Sequence, residues 1–464
     1  MRVSRFVVAV ICCLTSWTVA VAEVAPLKVG TFSVDASPPI GSPLAYDPCT
    51  AVQLPLTCRG IVLLGADKPI VLCAVDWIGI GNGGHDEWRQ ELAKAANTTP
   101  DRVSVHTLHQ HDAPLCDFET ADLLAKNGLE GHRFDNHFAR EVISQAADAV
   151  RHAAETSVPV THIGVGTGEV KKVASNRRIL GDDGKVRAVR YTATRDPKLR
   201  AEPEGTIDPL CRVISFFHSN RPVAVVSYYA THPQSYYRTG KANPDFPGMA
   251  RMMRDEALQN DDKTGPIHIH FNGAGGNIGA GKYNDGSPEN RPVLAKRLAE
   301  GMRLAWEDSL KHRQPIHAKN VSWETTTVQL PAAKHLDEKS LLTTLEDNEQ
   351  NPDQRVRAAR NLVWLRRCQK ETGIKIGCLT LGDARVLHMP GELVVEYQLE
   401  AQEMRPDLFV AMAAYGDYAP GYICRAVHYE EGGYEPSQRA SRVAPEVEDV
   451  LRTAMQELLD VSDK

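Results

Sequence analysis

The stretch IHIHFNGAGGNIGAGKY, residues 267–283, joins a strand-like run to a glycine-rich loop. Several other β-branched runs in the chain also end at glycine or at a polar residue. The second half of the stretch nearly matches a nucleotide-binding P-loop, which needs a hydroxyl after its lysine to hold Mg²⁺. Here Lys282 is followed by Tyr283, whose ring does not suit that coordination position. The function of these glycines has to be decided by the rest of the chain.

On both sides of this loop, short apolar runs alternate along the chain with amphipathic helical patterns. The predicted strands lie at 60–66, 70–78, 102–109, 213–219, 224–232, 267–275, 384–391 and 408–418. The predicted helices lie at 86–97, 134–155, 248–259, 292–311, 355–372, 394–405 and 445–459. This alternation predicts an α/β fold, a layered mixed-sheet domain with helices on its faces and functional groups at strand ends. No internal repeat is visible, and the charged stretch 334–360 is predicted to be a surface segment, an insertion or a lobe boundary.

Residues 1–22 have the pattern of a secretory signal peptide, with two arginines before an apolar run that ends in small residues. We expect cleavage after Ala22, which leaves a domain of residues 23–464 that is secreted or periplasmic. The apolar run is too short to cross a membrane, and no later segment is long and apolar enough to do so.

The composition argues against a nucleic-acid partner. The formal net charge is −6, and removal of the signal peptide would take away two further arginines. The chain therefore lacks the excess of basic residues that nucleic-acid-binding proteins use to contact phosphates. Export also separates the chain from the nucleotides that a P-loop would bind.

In an oxidising compartment the closely spaced pairs Cys49/Cys58 and Cys368/Cys378 are the predicted disulfides, with buried structural cysteines as the alternative. The sequence gives no indication of oligomeric state.

The strongest candidate for chemistry is VSVHTLHQHDAP, residues 103–114. If the strand continues through it, alternation places Ser104, His106 and Leu108 on one face. His109 and His111 then share the other face. Two imidazoles at a strand end can act as metal ligands, or as one ligand beside an acid–base group. A single histidine is usually structural, but three within six residues favour a functional role.

Three later stretches carry further candidates. His232 closes an apolar strand and is followed by Pro233, which stops that strand. Glu392 follows a strand and a Pro-Gly turn and opens the next predicted helix, where an acid is also favoured for purely structural reasons. Tyr418 and Tyr422 lie in a glycine-rich loop, and clustered tyrosines of this kind usually pack.

These four stretches, in this order, resemble the catalytic domain of the neutral/alkaline (non-lysosomal) ceramidase family, and the resemblance extends over roughly residues 28–436. LHQHDAP, residues 108–114, is similar to the family signature THTHSGP. That similarity implies that His109 is a zinc ligand and that His111 is the neighbouring active-site histidine. It also implies that His232, Glu392 and Tyr418 complete a Zn²⁺ site. The additional C-terminal β-sandwich domain of ceramidases is expected to have no counterpart here.

Two further elements of the family can be placed on this sequence. SNRR, residues 175–178, resembles the family's NR element and implies that Arg177 is an anion or oxyanion partner. The family's NxGDVSPN segment, which holds its proposed nucleophilic serine, aligns with the glycine-rich loop. In that register Gly276 matches the family glycine, Asn277 the aspartate and Gly279 the serine. The loop is therefore interpreted as the floor of an active site that lacks the serine hydroxyl.

The resemblance implies an exported zinc-dependent hydrolase of an amide or ester bond. Because the family's nucleophilic serine is missing from this sequence, we expect metal-bound water to attack the carbonyl. We expect His111 to act as acid and base, and Tyr422 or Arg177 to hold the oxyanion with help from backbone amides between Gly276 and Gly279. The substrate is expected to be a small or lipid-like molecule, although no segment demands ceramide itself. Two alternatives remain open: an inactive ligand-binding homologue that keeps a structural metal, and a metal-dependent phosphoesterase.

Overall fold

Three open β-sheets with the same connectivity form the protein. The computed structural model describes residues 26–259 and 265–460, so the predicted signal peptide and its cleavage site lie outside the described residues. These three large sheets have five, five and four strands, and the described residues also form five two-stranded sheets. In each large sheet, the first strand is antiparallel to the second and the second to the third, and the second and third form a hairpin. A helix follows the hairpin and leads to a further strand, which lies parallel to the third. The predicted layered α/β fold is confirmed.

The first unit occupies residues 28–159. Its elements in chain order are β1 (Lys28–Asp35), β2 (Thr57–Gly65), β3 (Asp67–Val75), α1 (Asn82–Ala95), β4 (Val103–Thr107), α2 (Phe118–Lys126), α3 (Asn136–Glu155) and β5 (Val158–Pro159). The strand order is β4-β3-β2-β1-β5, with β4 parallel to β3 and the other pairs antiparallel. Helices α1 and α3 pack on the outer face of this sheet.

The second unit repeats this arrangement over residues 162–315. Its elements are β6 (His162–Glu169), α4 (Pro197–Ala201), β7 (Leu210–His218), β8 (Arg221–Tyr229), α5 (Asp245–Leu258), β9 (Ile267–Asn272), α6 (Asn290–Lys311) and β10 (Arg313–Pro315). The strand order is β9-β8-β7-β6-β10, again with one parallel pair, β8 and β9. Helices α5 and α6 cover its outer face.

The third unit occupies residues 321–458 and has one strand fewer. Its elements are β11 (Val321–Val328), α7 (Glu338–Glu346), α8 (Pro352–Gln369), β12 (Ile374–Leu381), β13 (Ala384–His388), α9 (Val395–Met404), β14 (Phe409–Ala413), α10 (Ala426–Glu431) and α11 (Val447–Leu458). The strand order is β14-β13-β12-β11, with β13 and β14 parallel. Since the units share connectivity and not residues, the sequence shows no repeat.

The inner faces of all three sheets meet in one apolar core. Alternation along the strands divides their side chains between two layers. On β7, for example, Ile214 and Phe216 point into the shared core, whereas Val213 and Phe217 pack under α6. The shared core also contains Ile61 of β2, with Leu379 and Val386 from the third sheet. Burial of an aromatic or aliphatic side chain contributes roughly 1.5–3 kcal/mol, so this common core fixes how the sheet ends lie relative to each other.

A buried ion pair connects the first and second units. Arg251 of α5 donates two hydrogen bonds of 2.7 Å to the carboxylate of Asp76, which directly follows β3. The same carboxylate accepts from the backbone and hydroxyl of Thr57 and from the amide nitrogen of Gln110. Burial alone would raise the pKa of Asp76, but the Arg251 guanidinium outweighs burial and lowers it. Gln110 lies between the two histidines of the strongest motif, so this pair also fixes their loop.

The strand that leads to those histidines is shorter than predicted. β4 ends at Thr107, and His109 has a left-handed backbone with φ of 60°. The expectation that alternation along one strand brings His109 and His111 together is therefore wrong. A turn held by the bond from the His109 amide to the Trp77 carbonyl, 2.9 Å long, replaces the last residues of the strand.

The predicted disulfides are also wrong. Cys49, Cys58, Cys368 and Cys378 are all free in the described residues. Cys58 lies on β2 and faces Cys73 on β3, with the two sulfurs 3.4 Å apart. Pairing across the hairpin, which sequence spacing does not reveal, determines which cysteine is the neighbour of Cys58.

The charged stretch at 334–360 forms α7 and the first half of α8. Leu345 and Leu362 pack against Leu124 of α2 and against Phe134, so these helices cover one end of the first unit. The assignment of this stretch as a lobe boundary or insertion stays a prediction. Among the helices of the described residues, none combines the length and apolarity needed to cross a bilayer.

We predict that Arg251→Met lowers the free energy of unfolding by about 3–5 kcal/mol, because it leaves the buried Asp76 carboxylate uncompensated. Chemical denaturation followed by circular dichroism measures this change. The double variant Asp76→Asn/Arg251→Met should recover part of the loss. Arg303→Met, which removes two exposed ion pairs on α6, is the matched control and should change stability little. Equal stability of the Arg251 and Arg303 variants would contradict the role given to the buried pair.

Candidate active site

Each of the three sheets sends a potential metal-binding side chain to the same place. His109 and His111 follow β4 of the first sheet, His232 follows β8 of the second, and Glu392 follows β13 of the third. All four side chains are buried. The structure thus brings together four residues that are far apart in the chain and that the sequence had singled out separately.

The donor atoms of this group lie within coordination range of a common point. The ligand nitrogens of His109, His111 and His232 are all within 4.8 Å of one another. Nε2 of His109 lies 3.2 Å from Oε2 of Glu392, and Nε2 of His111 lies 3.0 Å from Nε2 of His232. Among the described residues, Oε2 of Glu392 has no hydrogen-bond partner. A buried carboxylate oxygen without a hydrogen bond beside imidazole nitrogens fits a site that holds a cation.

The environment of His109 fixes its tautomer. Its Nδ1–H donates to the Ile78 carbonyl at 2.6 Å, which leaves a lone pair on Nε2 directed at Glu392. A backbone acceptor on the far nitrogen is the usual way in which a metal-ligating histidine is oriented. Tyr415 stacks on the same ring, with centroids 4.8 Å apart and planes at 23°, and holds it in place.

Nε2 of His111 also faces the cluster. The amide nitrogen of Gln234 lies 3.0 Å from its Nδ1, and the Tyr46 hydroxyl lies 2.9 Å from the same atom. Nε2 of His111 lies 3.0 Å from Nε2 of His232. Burial, with His109 and Arg177 nearby, lowers the pKa of His111, so the ring is neutral. A neutral imidazole with one nitrogen in the cluster can coordinate a metal or accept a proton.

Glu392 is ionised despite its burial. Burial alone would raise its pKa, but the surrounding groups, Arg177 among them, outweigh burial and lower it. Its backbone is fixed by a short parallel pairing of Glu392–Leu393 with Tyr422–Ile423. One buried carboxylate beside imidazole nitrogens favours a cation at the site.

The two predicted tyrosines have different surroundings. The ring of Tyr418 lies 5.3 Å from that of His109 and packs closely on Gly79, while Arg360 interacts with it from the outer side. The Tyr422 ring stacks on His232, with centroids 6.3 Å apart, and its hydroxyl accepts from Arg177 at 3.1 Å. Tyr422 is thus the phenol that lies against His232 and Arg177.

Arg177 is held rigidly at the edge of the cluster. Its guanidinium donates to Glu435 at 3.1 Å, to the Gly276 carbonyl at 2.6 Å and to the Tyr422 hydroxyl at 3.1 Å. Burial alone would lower the pKa of Arg177, but Tyr422 and Glu435 raise it, so the group is charged. The role of Arg177 as an anion or oxyanion partner stays a prediction.

The glycine-rich loop packs tightly beneath Glu392. A Cβ on Gly276 would lie 2.4 Å from the Glu392 carbonyl oxygen, so only glycine fits there. A Cβ on Gly279 would have its nearest neighbour, Cδ of Arg177, at 3.4 Å, an ordinary contact. Asn277 accepts from the Val395 amide at the start of α9. The loop therefore supports the third sheet against the second.

The lysine of the P-loop-like stretch has no free ammonium group. Its Nζ donates to the carbonyls of Arg200, Ala201 and Glu202, at 3.1, 3.3 and 2.6 Å. Tyr283, the residue after Lys282, hydrogen-bonds to Glu204. These contacts exclude a phosphate cradle built around Lys282.

Several residues of the site were not predicted from the sequence. Gln234 follows His232 by two positions, and this close spacing was an available signal. Tyr46, Tyr415 and Glu435 are brought in from distant loops, and nothing in their local sequence marks them as partners of His111, His109 and Arg177.

No protein-family model and no curated protein matches the sequence. Among solved structures, the fold is similar to that of the neutral ceramidase from Pseudomonas aeruginosa, with a TM-score of 0.67 and 15% sequence identity. The similarity covers 94% of this chain and 74% of that one. A structure described as ceramidase complexed with C2 matches with the same values. At this identity the likeness shows that the chain has a ceramidase-like fold.

Proposed function

We propose that this protein is an exported, zinc-dependent hydrolase of an amide or ester bond. The single observation that carries the proposal is the buried cluster of His109, His111 and His232, whose ligand nitrogens lie within 4.8 Å of one another, with Oε2 of Glu392 3.2 Å from Nε2 of His109. The ceramidase-like fold supports it, because the solved relatives carry the name of an amidase. Two imidazoles, a carboxylate and no thiolate suit Zn²⁺.

The ligands of the ion would be His109, His232 and Glu392, with a phenol nearby. Tyr418, the predicted fourth ligand, stays the candidate phenol, since its ring lies 5.3 Å from that of His109. Tyr422 is assigned to the oxyanion, since its hydroxyl accepts from Arg177 at 3.1 Å. A bound Zn²⁺ supplies Lewis acidity, which polarises a carbonyl and lowers the pKa of water to about 7.

His111 is proposed as the acid–base group. In hydrolysis, a water oxygen bonds to the acyl carbon, the acyl C–N or C–O bond breaks, and the leaving amine or alcohol takes a proton. Nε2 of His111 faces the cluster, where it would take the proton that the water loses and pass it to the leaving group, and Gln234 and Tyr46 hold the ring in that orientation. A positioned group of this kind typically contributes about 10²–10⁴-fold in rate.

Arg177 and Tyr422 are proposed to hold the oxyanion. Both are fixed before substrate binds, which is the condition for strong electrostatic stabilisation. The backbone amides of the glycine-rich loop contribute less than the sequence suggested, because those of Gly276 and Ile278 already bond to the Leu393 and Gly275 carbonyls. Gly279 offers no hydroxyl, so a serine nucleophile of the family type has no counterpart at that position.

The two alternatives differ from this proposal in measurable ways. A phosphoesterase would be favoured by free cationic groups, but the Lys282 ammonium is engaged by protein carbonyls. An inactive binding homologue would hold zinc without turnover. A panel of fluorogenic N-acyl, ester and phosphate substrates, each with and without a chelator, separates the three. We expect turnover of N-acyl or ester substrates that the chelator abolishes and zinc restores.

Substitution of the histidines should separate ligands from the acid–base group. We predict one zinc ion per chain in the wild type, loss of that zinc in His109→Ala and His232→Ala, and retention in His111→Ala with about 10²–10⁴-fold lower turnover. Elemental analysis and the substrate panel measure these outcomes. His137→Ala, on the exposed side of α3, is the control. Equal zinc in every variant would disprove the assignment.

The glycine-rich loop provides a second test of the site. Gly276→Ala should weaken zinc affinity about 10–100-fold, because the new Cβ displaces the backbone of Glu392. Gly279→Ala, three residues away in the same loop, has room for its methyl group and should bind zinc like the wild type. Competition with a chromophoric chelator gives both affinities. If the alanine at 279 were the more damaging of the two, the account of the loop would be incorrect.

A further inference from the structure

The candidate site lies closest to solvent on the side of His111. Of the four clustered residues, His111 has the largest exposed fraction, 9%. Glu392, His109 and His232 are 3%, 2% and 1% exposed. A ligand is therefore expected to reach the cluster past the residues that surround His111.

Two tyrosines and one arginine surround the ring of His111. Tyr46 stacks on this ring with centroids 5.8 Å apart, and Tyr237 lies edge-on to it at 5.3 Å. The guanidinium of Arg238 lies 5.0 Å from the ring centroid of Tyr46 and 5.8 Å from that of Tyr237. Tyr237 and Arg238 are both exposed. A positive charge that solvent reaches therefore lies next to the two rings that contact His111.

The carboxylate next to His111 in the chain fixes the backbone of Arg238. Oδ1 of Asp112 accepts from the backbone nitrogens of Arg238 and Thr239, at 2.9 and 3.3 Å. Oδ2 accepts from the Thr239 hydroxyl at 2.8 Å. Arg238 has a left-handed backbone with φ of 64°, which is uncommon for a residue other than glycine. Strained conformations of this kind persist only where the surroundings hold them, and they are concentrated at functional sites.

The guanidinium of Arg238 is free to bind a ligand. Among the described residues it forms no ion pair, and its contacts are the faces of the two tyrosine rings. The bond to Asp112 involves the backbone of Arg238 and not its side chain. A guanidinium has five N–H donors in a planar fork that matches the oxygens of a carboxylate or a phosphate. Arg238 thus offers an unused anion-binding group close to the proposed acid–base residue.

Two other guanidiniums near the cluster form no ion pair among the residues that the structure describes. Arg360 of α8 lies 5.1 Å from the ring centroid of Tyr418. Arg442 is buried, and it donates to the amide oxygen of Asn361 and to the carbonyl of Ala419, the residue after Tyr418. Both charges lie beside the loop that carries the candidate phenol, so they add to the attraction of the site for an anion.

We infer that the substrate carries an anionic group, a carboxylate or a phosphate, close to the bond that is cleaved, and that Arg238 binds this group. The inference rests on the proposed hydrolase function and names its substrate class, the acyl amides and esters of an anionic amine or alcohol, such as N-acyl amino acids. In the reaction, the oxygen of water bonds to the acyl carbon and the acyl C–N or C–O bond breaks. The leaving amine or alcohol takes a proton and keeps its anionic group. Arg238 contacts that group and not the reacting atoms, so it determines specificity.

Calorimetry with ketone probes measures binding to the purified protein without turnover, because a methylene replaces the nitrogen of the cleavable amide. The carboxylate probes are 4-oxononanoate and 5-oxodecanoate, which place the charge at two distances from the carbonyl. The phosphate-like probe is 4-oxononylphosphonate, and 4-nonanone is the neutral counterpart. We expect at least one anionic probe to bind about tenfold or more tightly than 4-nonanone. The anionic probe that binds most tightly distinguishes a carboxylate from a phosphate.

Substitution of Arg238 should remove this preference. Arg238→Gln is expected to weaken binding of the tightest anionic probe by about 5–30-fold and to leave 4-nonanone within about twofold, because glutamine is polar but uncharged. Arg238→Lys should restore part of the loss. Arg221→Gln is the matched control and should bind like the wild type. Arg221 is exposed and begins β8, the strand whose other end leads to His232.

The outcomes distinguish this inference from the proposed function. The inference would be overturned if no anionic probe bound more tightly than 4-nonanone, or if Arg238→Gln had no larger effect than Arg221→Gln. Chelator-sensitive hydrolysis of neutral acyl amides in that case would still support the hydrolase. Binding of anionic probes that depends on Arg238, without hydrolysis of any acyl substrate, would instead support the inference and refute the hydrolase.

Discussion

The convergence of three sheet ends on one buried cluster is the constraint on which the rest of the structure depends. Three units of equal connectivity share one apolar core, and their strand ends meet where His109, His232 and Glu392 emerge. The Asp76–Arg251 pair joins two of the units and, through Gln110, holds the histidine loop. The glycine-rich loop joins the second unit to the third beneath Glu392. Packing thus determines the positions of donor atoms that no local segment could bring together.

The electrostatics of the cluster follow from its burial. Burial lowers the pKa of His111 and of His232, so these rings are neutral and their nitrogens are available for coordination or proton transfer. Burial alone would raise the pKa of Glu392, but the surrounding groups, Arg177 among them, outweigh burial and keep the carboxylate ionised. Arg177 is compensated in turn by Glu435 and Tyr422. Two adjacent histidines are held by different partners, since the Ile78 carbonyl orients His109, whereas Gln234 and Tyr46 orient His111.

The sequence predicted the fold class and most of the long helices and apolar strands, because these carry strong periodicity. Strand β6 was missed because Gly164, Gly166 and Gly168 replace β-branched residues there; each allows the backbone of α6 to lie directly on the sheet. The motif histidines and Glu392 were found, but the turn at His109 was taken for strand. The partners Tyr46 and Glu435 could not be predicted, because only tertiary packing brings them to the site. The disulfide pairs were wrong because spacing along the chain says nothing about which hairpin residues face each other.

X-ray absorption at the zinc edge of the purified protein tests the central claim most directly. The account predicts one zinc ion per chain with a first shell of two imidazole nitrogens and oxygen donors from a carboxylate and a phenol or water. A second spectrum of His111→Ala should show the same number of imidazoles, since His111 is assigned to proton transfer. A protein without zinc, a shell that contains sulfur, or the loss of one imidazole in the His111 variant would contradict the account.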